Sequence, residues 1–162
     1  MIVVTGASRG LGKAICERLQ SKNLEVFGLA RNISDIHFPA QSCDISSYDE
    51  IKLVVNKLKK DGVKVDALIN AAGIASMNLA ITTPRNSVEK IIQTNLLGTI
   101  FCCQLFAPLM IRHKAGSIIN FSTIAVSLGL KGESVYAASK AGVETFSRTF
   151  AREMSDFNIN VN

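Results

Sequence analysis

Short apolar runs alternate with longer amphipathic ones along this chain, which is the pattern of strands and helices taking turns in a parallel sheet. Strands are expected over residues 2–5, 26–30, 38–43, 67–70, 117–121 and 159–161. Helices are expected over 12–22, 47–60, 86–110 and 134–157. In the first, Ala14, Ile15 and Leu19 share a face; in the second, Ile51, Val54, Val55 and Leu58 line one side and lysines the other. The third contains Pro108, which is expected to bend or end it, and the fourth carries Val143, Phe146, Phe150 and Met154 at helical spacing. With 162 residues, 48% of them hydrophobic, one domain with a sizeable core is expected across 1–162. The sixth strand begins and the sequence stops, so this end reads as truncated.

The first strand turns through Thr5-Gly6-Ala7-Ser8-Arg9-Gly10-Leu11-Gly12 into the first helix. Such a turn gathers backbone N–H groups and the positive end of a helix dipole at one point, which suits a phosphate. The GxxxGxG spacing departs from the GxGxxG dinucleotide fingerprint but meets the same demands of tight turn and close approach. After the second strand, an acidic residue would accept a bond from a ribose 2′-hydroxyl; this chain has Arg31 there, and a guanidinium favours a 2′-phosphate. Arg9 is placed to approach from the other side, so the cofactor reads as NADP(H). The plainer alternative is two solvated surface arginines.

Carbonyl or alcohol chemistry beside a nicotinamide needs a group that exchanges a proton. Tyr136 and Lys140 lie four residues apart on one helix face, and an ammonium beside a phenol favours the phenolate. Tyr48 and Lys52 show the same spacing, at the start of the lysine-rich helix, where a surface role is expected. Position separates the two pairs. Tyr136 follows a strand with Ser122 and Thr123 at its C-terminal end, where open α/β sheets put their ligands.

Composition narrows the field further. The net charge is 18 − 13 = +5, with basic residues scattered rather than gathered in an arm or stripe. A small polyanionic ligand fits this, whereas nucleic acid would need a denser patch and a recognisable module. Cys16, Cys43, Cys102 and Cys103 form no CxxC pair and no metal-ligand spacing with the two histidines, so buried reduced thiols and no metal are expected. The longest apolar stretch, 96–110, is interrupted by Gly98, Gln104 and Pro108, so no membrane span is expected. The opening residues read as a strand and not as a signal peptide, so a cytoplasmic location is expected.

Taken with Asn70-Ala71-Ala72-Gly73, Asn95, Ser122-Thr123 and Tyr136-Ala137-Ala138-Ser139-Lys140, the glycine-rich turn makes the chain resemble the short-chain dehydrogenase/reductase family over essentially its whole length. Within that family it looks most like the 3-oxoacyl-acyl-carrier-protein reductases. The resemblance implies a Rossmann-type, doubly wound parallel sheet of order 3-2-1-4-5-6. It implies that cofactor contacts come from Gly6, Ser8, Arg9, Gly10, Leu11, Gly12, Arg31, Asp44, Ile45, Asn70, Ala71, Ala72 and Gly73, joined by Tyr136 and Lys140. Asp44 would accept a bond from the adenine amine, with a helix N-cap as its plainer reading.

The same resemblance makes Tyr136 the general acid in reduction, and Lys140 the residue that binds the nicotinamide ribose and eases proton loss from the phenol. Asn95 would hold a water in a proton relay to Lys140; its plainer reading is a buried backbone contact. Thirteen residues before Tyr136, where the family has a serine, stands Thr123, with Ser122 beside it as the alternative hydroxyl. The extra methyl of Thr123 stiffens and crowds the site.

The substrate implied is a ketone, plausible examples being 3-oxoacyl thioesters carried on an acidic protein. Arg112-His113-Lys114 would meet that carrier, or else simply place cations at a helix C-terminus. A homo-oligomer is implied through 96–106 and 143–150, which carry more apolar surface than one sheet face needs. The family's nicotinamide-contacting Pro-Gly turn and substrate-covering loop lie beyond residue 162. That absence and Thr123 leave a rival reading: a cofactor-binding sensor or scaffold that performs no catalysis.

Overall fold

The computed structural model describes residues 1–162. Six parallel strands form one sheet of order β3-β2-β1-β4-β5-β6: β1 (Ile2–Thr5), β2 (Val26–Ala30), β3 (Ala40–Ser42), β4 (Ala67–Asn70), β5 (Gly116–Asn120) and β6 (Ile159–Val161). This is the doubly wound order expected. The connecting helices are α1 (Gly10–Gln20), α2 (Tyr48–Lys60), α3 (Arg85–Ile91), α4 (Gly98–Ile111), a short α5 (Ala125–Leu128) and α6 (Ser134–Ser155).

Strand order fixes where the helices lie. The chain moves one way across the sheet from β1 to β3 and the other way from β4 to β6, and right-handed crossovers then put the two sets on opposite faces. The larger core joins α2, α4 and α6 to Val3, Leu29, Leu68 and Ile118 of the sheet. On the other face the smaller core packs Cys16 of α1 on Val4, Val26 and Ile69. Because β5 lies away from α1, Ile119 on that face remains 36% exposed.

Three expectations are corrected. The third strand starts at Ala40 rather than Phe38, because Pro39 has no N–H for the ladder; its carbonyl accepts from Gly28 N–H at 2.9 Å, and the ladder proper begins after it. Pro108 does not end its helix, which continues to Ile111. Pro108 and Gln104 both lie on the exposed side, so the carbonyl deprived of its partner can be hydrated. Gly98, Gln104 and Pro108 do not lower the apolar character as far as expected either: the helical run Arg85–Ile111, 27 residues, is long and apolar enough, by length and composition alone, to cross a membrane. Here it is a core element, with Cys102, Cys103, Phe106 and Met110 fully buried against the sheet. Between α3 and α4, residues Ile92–Leu97 widen into a π-helical stretch that the sequence pattern did not signal.

At the C-terminal ends of the strands, Thr5 is level with Leu29 and Asn70, and Asn70 with Asn120. The turns leaving these four residues therefore open along one edge of the sheet.

Candidate active site

The turn after β1 is built for close approach. Gly6 has φ +70°, and a Cβ on it would stand 2.8 Å from Ala72 Cα; one on Gly12 would stand 2.3 Å from the Gly6 carbonyl oxygen. Thr5 fixes the neighbouring turn by accepting Ala72 N–H at its Oγ1, 3.1 Å away. No side chain caps α1 and its first turn carries no acid, so its leading N–H groups are free for an anion.

These groups open on a cleft of about 300 Å³. Gly6, Ser8, Arg9, Gly10 and Leu11 line it from the turn after β1, Arg31 from the end of β2, Asp44 and Ile45 from the segment after β3, and Ala71, Ala72 and Gly73 from the turn after β4. Of the expected cofactor residues outside the catalytic helix, Gly12 and Asn70 are the two behind the lining. Gly12 is buried against Gly6, and Asn70 is 3% exposed beneath the β4 turn. Leu29, Ala30, Cys43, Ile74 and Thr94 also line the cleft, beyond the residues expected. Asp44 does not cap α2; Ser47 does, accepting Glu50 N–H at 3.4 Å. One Asp44 oxygen accepts from Ser46 N–H and Oγ–H at 2.9 and 2.7 Å, while its own N–H donates to Glu50 Oε2 at 2.8 Å.

A second hollow of about 240 Å³ shares Leu11, Ala71, Gly73 and Ile74 with the first and adds Phe121, Ser122, Tyr136 and Lys140. Tyr136 is half-buried and Lys140, one turn further along α6, is buried. The ammonium of Lys140 donates to the Phe121 carbonyl at 2.7 Å, and burial lowers its pKa from the ordinary lysine value. The competing pair lies elsewhere: Tyr48 is exposed at the surface, its ring edge-on to Phe101, and Lys52 is exposed as well.

Asn95 sits in the π stretch and is fully buried. Its Oδ1 accepts Ile74 N–H at 2.8 Å, and its Nδ2 donates to the Ile74 carbonyl at 2.9 Å and to Ser139 Oγ at 3.0 Å. The plainer reading of Asn95 thus describes what its side chain does: it straps the loop after Gly73 to the helix of Tyr136 and Lys140. Both amide hydrogens are spent, so any water near Lys140 would have to bond an oxygen of Asn95.

The two hydroxyls after β5 differ in what they bond. Ser122 lines the hollow and donates to Glu144 Oε1. Thr123 is not on that lining; its Oγ1 accepts Ala125 N–H at 3.3 Å. Beneath them runs a chain of amides that the sequence did not reveal. Asn70 Nδ2 donates to Asn120 Oδ1 at 2.8 Å, and Asn120 Nδ2 donates to Ser147 Oγ at 2.8 Å on α6. Asn70 Oδ1, buried, has no partner.

A family profile for short chain dehydrogenases matches residues 1–162. The chain is 35% identical over 168 residues to carbonyl reductase family member 4 of Xenopus laevis, covering 98% of this chain and 71% of that protein. It is 33% identical over 168 residues to a human 3-oxoacyl-[acyl-carrier-protein] reductase, again covering 98% and 71%. Among solved structures, a short-chain dehydrogenase from Streptomyces avermitilis superposes with a TM-score of 0.92 at 28% identity, covering 99% of this chain. The chain spans 62% of the length of that structure. With the glycine turn, the doubly wound sheet and the Tyr136–Lys140 helix all in place, the chain belongs to the short-chain dehydrogenase family.

Proposed function

We propose that this protein reduces a ketone with NADPH, the ketone being a 3-oxoacyl thioester. One observation carries the reading: the hollow holding Tyr136 and Lys140 adjoins the cleft into which Arg9 and Arg31 open, the two sharing Leu11, Ala71, Gly73 and Ile74 as walls. The residues present fit the cofactor. A side chain at Gly6 or Gly12 would fill the close-approach turn, the α1 amides are uncapped, and the two guanidinium groups match a 2′-phosphate. The relatives named as 3-oxoacyl-[acyl-carrier-protein] reductases favour a thioester over other ketones.

A bound nicotinamide would supply hydride; the protein's residues manage position and proton. Tyr136 donates its phenolic proton to the carbonyl oxygen as negative charge develops there. Lys140, in its ammonium form, would stabilise the phenolate left behind and hold the ribose hydroxyls. Thr123, which stands just off the lining, is the hydroxyl left free to turn and donate to the same carbonyl oxygen, since its Oγ1 accepts from Ala125 and keeps its own proton, whereas the Ser122 hydroxyl is engaged in donating to Glu144. Asn95 keeps the loop after Gly73 in register with α6.

The protein works in the cytoplasm, in keeping with four unpaired, buried thiols, and as a homo-oligomer through α4 and α6. A carrier protein meeting Arg112-His113-Lys114 would do so at the N-terminal end of β5, a strand length of ~17 Å from the hollow at its other end.

The test is oxidation of NADPH by the purified protein with a short 3-oxoacyl thioester. Tyr136→Phe is expected to cut kcat about 1000-fold with NADPH still bound, and Arg31→Asp to raise the KM for NADPH about tenfold or more while favouring NADH. Tight NADPH binding with no turnover toward ketones would support the non-catalytic binder instead.

A further inference from the structure

Three consecutive residues leaving β5 are each bonded to α6. Asn120 Nδ2 donates to Ser147 Oγ at 2.8 Å, the Phe121 carbonyl accepts from Lys140 Nζ at 2.7 Å, and Ser122 Oγ donates to Glu144 Oε1. Lys140 and Glu144 are one helical turn apart, so the Phe121–Ser122 peptide unit is held at two points on the helix that carries Tyr136. Glu144 is not used in the way expected of a helix-surface carboxylate. Arg148 stands one turn further on, yet its guanidinium donates to Thr145 Oγ1 at 3.3 Å, and none of the ion pairs in the structure includes Glu144.

We infer that Glu144 is a positioning residue for the reduction: by holding the Ser122 hydroxyl it fixes the turn that presents Thr123 to the substrate and the Phe121 carbonyl to Lys140. The inference rests on the reductase reading above. A hydroxyl has one proton, and with that proton donated in the hydrogen bond to Glu144 the Ser122 oxygen offers only lone pairs to the hollow it lines. Donation to a carbonyl is thereby left to the neighbouring Thr123. Without the Glu144 bond, the turn would be tied to α6 beyond Asn120 by the Lys140 ammonium alone, and that same ammonium is needed by the cofactor ribose and the phenol. Glu144 therefore relieves Lys140 of the task of holding the loop.

The experiment combines kinetics with amide hydrogen exchange across residues 121–125, on wild type, Ser122→Ala, Glu144→Ala, the double variant and Glu144→Gln. The two single alanine variants are each expected to lower kcat about tenfold and to speed exchange in that segment, with the dissociation constant for NADPH unchanged. The double variant is expected to be no worse than either single one, and Glu144→Gln, which keeps an acceptor oxygen, to recover kcat to within about threefold of wild type. Multiplying losses in the double variant, or exchange across 121–125 that does not respond to Glu144→Ala, would overturn the inference. A wild-type protein that turns over no ketone would overturn the reductase reading instead, while the exchange result would still decide whether Glu144 holds the turn.

Discussion

Lys140 holds its amine where little water can reach it, with one carbonyl as its hydrogen-bond partner. Burial disfavours the ammonium in the folded state, lowering its pKa from 10.5, so the unfolded chain binds that proton more tightly. The sign follows: this contribution raises stability as pH climbs through the window just below 10.5 and weakens it at neutral pH. Lys140→Met is expected to unfold at higher urea than wild type at pH 7, to lose the alkaline gain, and to be inactive; a lower midpoint at pH 7 would refute the assignment. Asp66 behaves in the opposite sense. The Met1 ammonium donates to its Oδ2 at 2.5 Å and Lys64 lies 3.2 Å from its other oxygen, and the bond from Met1 chiefly holds its pKa below 3.8. The stability it supplies is present above that value and lost as pH falls through the lowered one. Acid titrations followed by circular dichroism should therefore show a shallower acid limb in Asp66→Asn.

At the scale of elements, α1 is the most tightly constrained. A Cβ at position 12 would overlap the Gly6 carbonyl at 2.3 Å, and backbone cannot swing aside as a side chain does. Gly12→Ala should destabilise by about 2–3 kcal/mol and abolish NADPH binding, measurable by urea melts and by fluorescence of the bound nucleotide. The strands and helices were legible because each has a period of its own. What escaped were features with no local signature. Pro39 delays β3 through a missing N–H, and Pro108 sits inside α4 because its side faces water. The π stretch at Ile92–Leu97 carries Asn95, whose bonds to Ile74 and Ser139 span 21 and 44 residues. In the site, the glycine turn and the Tyr136–Lys140 pair lie on contiguous motifs and could be read directly. Asn120, Glu144 and Ser147 could not, since their partners stand 22 to 50 residues away and no spacing rule joins them.

At the scale of the whole molecule, the two faces of the sheet are unequally covered, with α2, α4 and α6 on one and α1 on the other. The proposed association through α4 and α6 would use the thicker side, where Phe146 and Phe150 stack at 5.1 Å. Sedimentation should show a species heavier than the 17.5 kDa chain, and a monomer at all concentrations would count against it. The thinner side sets a gradient of local opening across the sheet. Val3 and Val4 are sealed from both directions, whereas Ile119 meets solvent on one, and β6 hangs on β5 by a ladder only three residues long. Separating β6 breaks a short ladder but also uncovers Ile159, which is buried in the larger core, so its amides should trade protons with solvent through partial opening while those of β1 wait for global unfolding. Pliability thus belongs to both margins of the sheet, β3 at the end of the phosphate-facing half and β6 beside Ser122 and Thr123, each tied on by three residues, while the centre that carries the glycine turn is the rigid part.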